Sequence, residues 1–130
     1  MNLSQPRRCL KQITMIDLLR KLALSLPETS EAPHFHKTSF RVKGKIFITY
    51  DSNDNKACFM LSLIDQNVFS LIDRSMIYPV PNKWGKGGAT FFELDAISEE
   101  ILADAIITAY CHKAPKALAD QVRQPPATDE

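Results

Sequence analysis

The stretch from Thr38 to Tyr50 constrains the fold more than any other part of the chain. Thr38-Ser-Phe-Arg-Val42 and Lys45-Ile-Phe-Ile-Thr-Tyr50 are rich in β-branched and aromatic residues, with Lys43-Gly44 between them. Gly44 supplies the positive φ that a two-residue turn demands, so the segment predicts a β-hairpin. With Lys43-Gly44 as its loop, Phe40 falls opposite Phe47.

Helical spacing appears on either side of this region. Ile16, Leu19, Leu22, Ala23 and Leu26 share one face of a helix capped by Thr14, with Asp17 three residues on. Leu26-Pro27 ends it, because the residue before a proline is pushed out of the α region. Ser62 to Asp73 predicts a shorter helix with Ser62 and Asp65 in capping-box positions and Val68, Phe69 and Ile72 inward. Ser98 caps a long last helix, where Glu99 and Glu100 suit the positive dipole end and Ile101, Leu102, Ala105, Ile106 and Ala109 form the buried face. Ala114-Pro115 kinks or restarts it.

Between the helices, Asp51 to Lys56 is Asx-type turn chemistry, and Ala57-Cys-Phe-Met-Leu61 predicts a strand buried on both faces. Met76 to Pro81 is an edge strand limited by its prolines, Asn82 to Gly88 a glycine-rich turn, and Ala89 to Leu94 a returning strand. The order helix, strands, helix, strands, helix implies an α+β fold: a two-layer sandwich in which an antiparallel β-sheet has its helices packed on one face. Residues 14–120 are expected to form the single domain, with 1–13 and 121–130 as flexible extensions.

At 130 residues the chain has room for one core, and 45% hydrophobic with 24% charged residues is ordinary globular composition. The apolar stretch from Leu18 to Leu26 is interrupted by Arg20 and Lys21, so it predicts neither a signal-peptide core nor a membrane span. Cys9, Cys58 and Cys111 are odd in number and form no C-x-x-C pair, which argues against structural zinc and a disulfide framework. A reduced cytoplasm is the expected compartment.

Catalytic and metal motifs fail one by one. His34 and His36 would share a face of a strand, but a third ligand is missing. Asp51-Ser-Asn-Asp-Asn55 imitates the start of a calcium loop, yet Lys56 stands where the sharp turn needs glycine and Ser62 where a bidentate glutamate should be. Gly85-Lys-Gly-Gly88 has neither P-loop nor dinucleotide spacing. Cys111 and His112 point about 100° apart on a helix and cannot face one substrate. The sequence therefore predicts a protein that is not an enzyme and carries no cofactor or metal.

Leu24-Ser-Leu-Pro-Glu28, Pro33-His-Phe-His-Lys-Thr-Ser-Phe-Arg-Val-Lys-Gly-Lys-Ile-Phe47, Tyr78-Pro-Val-Pro81, Lys83-Trp-Gly85 and Ala114-Pro-Lys116 together resemble the pattern of the MmcQ/YjbR family. The resemblance runs from the first helix to about Leu118. It implies a frataxin-like fold and a double-wing DNA-binding surface made by two hairpin turns. An iron-binding role for such a fold would need an acidic ridge, whereas Asp17 and Glu28 are isolated and the first helix also carries Arg20 and Lys21.

The net charge of +1 says little about partners, so the argument rests on where the charges fall. Ala32 to Tyr50 carries Lys37, Arg41, Lys43 and Lys45 with no acidic residue. Arg74 to Phe92 carries Arg74, Lys83 and Lys86, again with no acid. Each run holds a glycine turn that lets backbone amides and a lysine approach phosphate. Lys37, Arg41, Lys43, Lys45, Lys83, Trp84 and Lys86 are the candidate nucleic-acid-binding residues, and double-stranded DNA the candidate partner of a monomer. The competing reading makes these charges solvated hairpin tips that deter aggregation, and Trp84 a ring that anchors a glycine loop on the sheet. The functional alternative is a protein-interaction or small-ligand-binding domain without nucleic-acid affinity.

Overall fold

The computed structural model describes residues 14–123, so the expectations for 1–13 and for the tail from 124 lie outside the described residues. Helix α1 (Met15–Leu24) begins at Thr14, whose hydroxyl accepts from the Asp17 amide at 3.2 Å. Then come β1 (Thr29–His34), β2 (Lys37–Val42), β3 (Lys45–Asp51), β4 (Lys56–Met60), α2 (Leu63–Ser70), β5 (Ile77–Pro79), α3 (Lys83–Lys86), β6 (Ala89–Glu93), α4 (Glu99–Lys113) and α5 (Lys116–Arg123). The strands form one antiparallel sheet in the order β1-β2-β3-β4-β6-β5, and the fold is α+β. Pro115 stops α4, and α5 restarts beyond it and runs to Arg123.

Period-two alternation gives the sheet two faces. Phe40, Val42, Ile48, Phe59 and Phe92 turn toward the helices and are fully buried, with Leu19 and Ala23 of α1 and Leu102, Ala105, Ile106 and Ala109 of α4 closing over them. Burial of each large side chain contributes roughly 1.5–3 kcal/mol. Tyr110, unremarked in the sequence, is fully buried, and its hydroxyl donates to the Pro27 carbonyl at 2.7 Å, tying α4 to the loop after α1. Arg20 of α1 holds Glu31 of β1 through two bonds of 2.9 and 3.1 Å.

Several expectations need correction. Phe40 pairs with Ile48, not Phe47, because a β-bulge interrupts the register between Phe40 and Arg41. The bulge sets two consecutive β3 residues against one, so Phe47 and Ile48 can both turn toward the helices and be fully buried there, which strict alternation forbids. In α2 only Phe69 of the three expected residues faces inward. Val68 is 56% and Ile72 51% exposed. The helix packs one narrow face, Gln66, Phe69 and Ser70, beside β5, and it ends before Ile72. The glycine-rich turn from Asn82 contains the single helical turn α3, capped by the Asn82 side chain at 2.8 Å from the Trp84 amide.

At the Lys43-Gly44 turn both residues have positive φ, 51° and 83°, as a type I′ hairpin requires. The sequence did not disclose β1, which adds an edge strand reached through a turn at Phe35-His36. Both edge strands contain a proline, Pro33 in β1 and Pro79 in β5. No helix among the described residues is long and apolar enough to cross a membrane.

Candidate nucleic-acid interface

The helix-free face of the sheet is built by the residues that alternate with the core. It presents Lys37, Ser39 and Arg41 of β2, Thr49 of β3, Cys58 and Met60 of β4, Phe91 of β6 and Tyr78 of β5, row by row in register. The same pairings set which turns are neighbours. The β2–β3 turn, the end of β4 and the β5–β6 connection lie at one end of the sheet. Lys43 and Lys45 therefore share that end with Lys83, Trp84 and Lys86. Their strands β3 and β6 flank β4, so the two turns are rooted two strand spacings apart, roughly 10 Å. Arg41 adjoins the first turn on the helix-free face. Lys37 lies apart from this group, at the opposite end of β2 beside the β1–β2 turn.

Lys43, Lys45, Lys83 and Lys86 are exposed, and Lys37 and Arg41 are half-buried. Ion pairs among the described residues engage Arg20, His36, Lys56 and Lys116, and none of these six. Arg41 donates through Nε to the Ser39 hydroxyl at 3.0 Å, which steadies the guanidinium without neutralising it. Lys56 shows the contrast on the same face. Its ammonium lies 3.6 Å from Glu93 and 4.7 Å from the centre of the Phe91 ring. Hydrogen bonding with Tyr78, and then the charge of Glu93, raise its pKa. Tyr78 donates its hydroxyl to the same Glu93 carboxylate.

The second turn is held by backbone contacts rather than by Trp84. A Cβ on Gly85 would stand 1.8 Å from the Val80 carbonyl oxygen, and one on Gly88, at φ 109°, 1.9 Å from that of Leu61. Buried Gln66 of α2 donates through Nε2 to the carbonyls of Gly85 at 2.9 Å and Ala89 at 3.1 Å. With the loop fastened this way, Trp84 is 65% exposed, which overturns the anchoring role and leaves its ring free at the surface.

Beside Trp84 the helix-free face dips into a groove of about 610 Å³. Thr49, Cys58, Met60 and Phe91 form its floor; Val80 and Trp84 approach from the β5–β6 connection, and Phe35 from the β1–β2 turn. Burial pushes the Cys58 thiol up to about 11, so it is protonated at neutral pH and a poor nucleophile. His34 and His36 also line the groove, but the turn separates them. The His34 ring meets Phe35 edge-on at 4.8 Å, and His36 Nε2 lies 3.5 Å from the Asp51 carboxylate. No group of three metal-ligating side chains occurs among the described residues. Phe35 escaped the sequence reading. The turn itself is His34-Phe-His-Lys37, none of which is a usual turn former, so the turn that projects the Phe35 ring carried no signal.

A family model described as YjbR matches residues 24–112. The crystal structure of Deinococcus radiodurans protein DR2400, of the domain type DUF419, is similar with a TM-score of 0.66 and 19% identity, over 89% of this chain and 92% of that one. At this identity the likeness shows the fold alone. No curated protein matches the chain.

Proposed function

The chain belongs to the YjbR family, and from that footing we propose that it is a non-enzymatic DNA-binding module that grips the phosphates of a duplex with its two basic turns. One observation carries the reading: Lys43, Lys45, Lys83 and Lys86 crowd one end of the sheet, exposed and outside every ion pair among the described residues. Like charges so placed repel one another, and a polyanion removes that cost while releasing its own counterions. The strands that root the two turns, β3 and β6, lie roughly 10 Å apart, on the scale of a DNA groove, about 6 Å wide for the minor and 12 Å for the major. Each turn then meets one phosphate wall. Contacts of this kind position a protein on DNA without reading its sequence, so weak sequence preference is part of the proposal.

Fluorescence anisotropy of a labelled mixed-sequence duplex tests it. With about five cations on phosphates, log K falls against log salt with a slope near −4.5, from micromolar affinity at low salt. The charge reversal Lys43→Glu/Lys86→Glu abolishes binding with the thermal melt intact. No binding at low salt would overturn the reading.

A second reading rests on α2. Leu63, Ile64, Val68, Leu71 and Ile72 are all more than half exposed, and a contiguous apolar stripe of this kind marks protein interfaces. It describes a protein-binding domain with no nucleic-acid affinity. Its signature is a partner-dependent rise in melting temperature that salt leaves unchanged.

A further inference from the structure

Phe35 has no role in the core. Its ring is 90% exposed, and its backbone is held at φ 59°, in the left-handed region that a bulky side chain disfavours. An outlier maintained by its surroundings invites a functional explanation, and here the consequence is position. The turn carries the ring to the rim of the groove on the helix-free face, while Trp84, also largely exposed, enters from the other end of the sheet. Between the two rings the floor is apolar at Met60 and Phe91, with the Thr49 hydroxyl among them. Lys37 stands at the Phe35 side without an ion pair among the described residues.

An apolar slot flanked by two exposed aromatic rings and a free ammonium suits a flat guest with an anion attached. At about 610 Å³ it lies within the range of small-ligand sites, about 300–1,000 Å³, and is too confined for a protein face. We propose that the groove takes unpaired bases of a nucleic-acid strand, with Trp84 and Phe35 each offering a ring at its rim to stack on and an adjoining phosphate on Lys37. Stacking accepts every base because every base has a π-face, so the slot adds affinity for opened strands without adding sequence preference. The inference rests on the phosphate-gripping reading and deepens it: the lysine turns hold the duplex, and the groove holds a base that has left its stack.

Trp84 is the only tryptophan in the chain, so its emission reports on this groove alone. The experiment titrates the protein, Phe35→Asn and Trp84→Leu with a short oligothymidylate and with a mixed duplex of the same length. Trp84 emission follows the strand in the first two proteins, and anisotropy of the labelled DNA follows both ligands in all three. The oligothymidylate is expected to quench Trp84 emission saturably. Phe35→Asn and Trp84→Leu are each expected to weaken its binding at least about fivefold, the low end of a stacking contribution. Phe35→Asn keeps duplex affinity within about twofold. Strand binding that leaves the emission unchanged, or that tolerates both substitutions, overturns the base slot and leaves the duplex reading standing. Failure of the duplex itself to bind overturns the phosphate reading, and failure of both DNAs overturns both.

Discussion

At Lys43 the backbone is held at φ 51°, where an L-residue other than asparagine or glycine costs roughly 1–2 kcal/mol. A type I′ turn prefers asparagine in that position, followed by glycine. The chain has kept the glycine and placed a cation where asparagine would be more stable, as expected of a residue retained for its charge. Lys43→Asn should therefore raise stability by about 1 kcal/mol in a denaturant titration. The same change should lower the magnitude of the salt slope of duplex binding by about 0.9, because one phosphate contact is gone. A variant that gained stability with an unchanged slope would show that Lys43 does not meet phosphate. Lys43, Lys45, Lys83 and Lys86 were legible in the sequence because glycine turns and charge runs are local signals. Phe35 was not, since its turn is imposed by pairing of β1 with β2 across residues that have no turn preference.

The elements divide in the same way between what neighbours in sequence decide and what neighbours in space decide. The three N-caps at Thr14, Ser62 and Ser98 were legible because each hydroxyl accepts from an amide three residues on. The bulge in β3 was not, because it answers to the helix face that receives Phe47, whose ring packs edge-on against Tyr110 at 5.7 Å. Helix α2 misled for a related reason: its apolar and polar residues are interleaved, with Gln66 and Ser70 on the buried side and Leu63, Ile64 and Val68 outside, so periodicity cannot choose which stripe the protein covers. The exposed stripe yields a prediction of its own. Val68→Glu/Ile72→Lys should change the unfolding free energy by no more than about 0.5 kcal/mol per site, as surface changes usually do. A loss of several kcal/mol in a urea titration would mean that the stripe is covered in solution.

For the molecule as a whole, the two-layer α+β architecture could be read from changes of hydrophobic period along the chain. The strand order could not, because β6 inserts between β4 and β5, and it is this long-range pairing that brings the β5–β6 connection to the same end of the sheet as the β2–β3 turn. Stability should also respond to pH as a whole-molecule property. Burial raises the Cys58 thiol to about 11 from an ordinary 9.0, and burial likewise raises the Tyr50, Tyr78 and Tyr110 phenols above 10.0. Each group is more easily deprotonated in the unfolded chain. Their stabilising contributions are complete below pH 9 and decline as the pH climbs from there toward 11. On the acid side, burial lowers the His112 pKa, so its contribution is complete above pH 6.5 and shrinks below it. Thermal melts across pH 5 to 11 should fall at both ends, and Cys58→Ala should flatten the stretch between 9 and 10.

The prolines at the two margins of the sheet bear on how this protein behaves in a crowded solution. A β-sheet normally grows sideways, by recruiting another chain onto its unpaired amides, and that is the first step toward fibres. Pro33 and Pro79 each delete an amide from a boundary strand, and neither margin offers an unbroken row of donors. Partners are thereby turned away from the rim, and what meets this molecule must do so on its broad surface or at its tips.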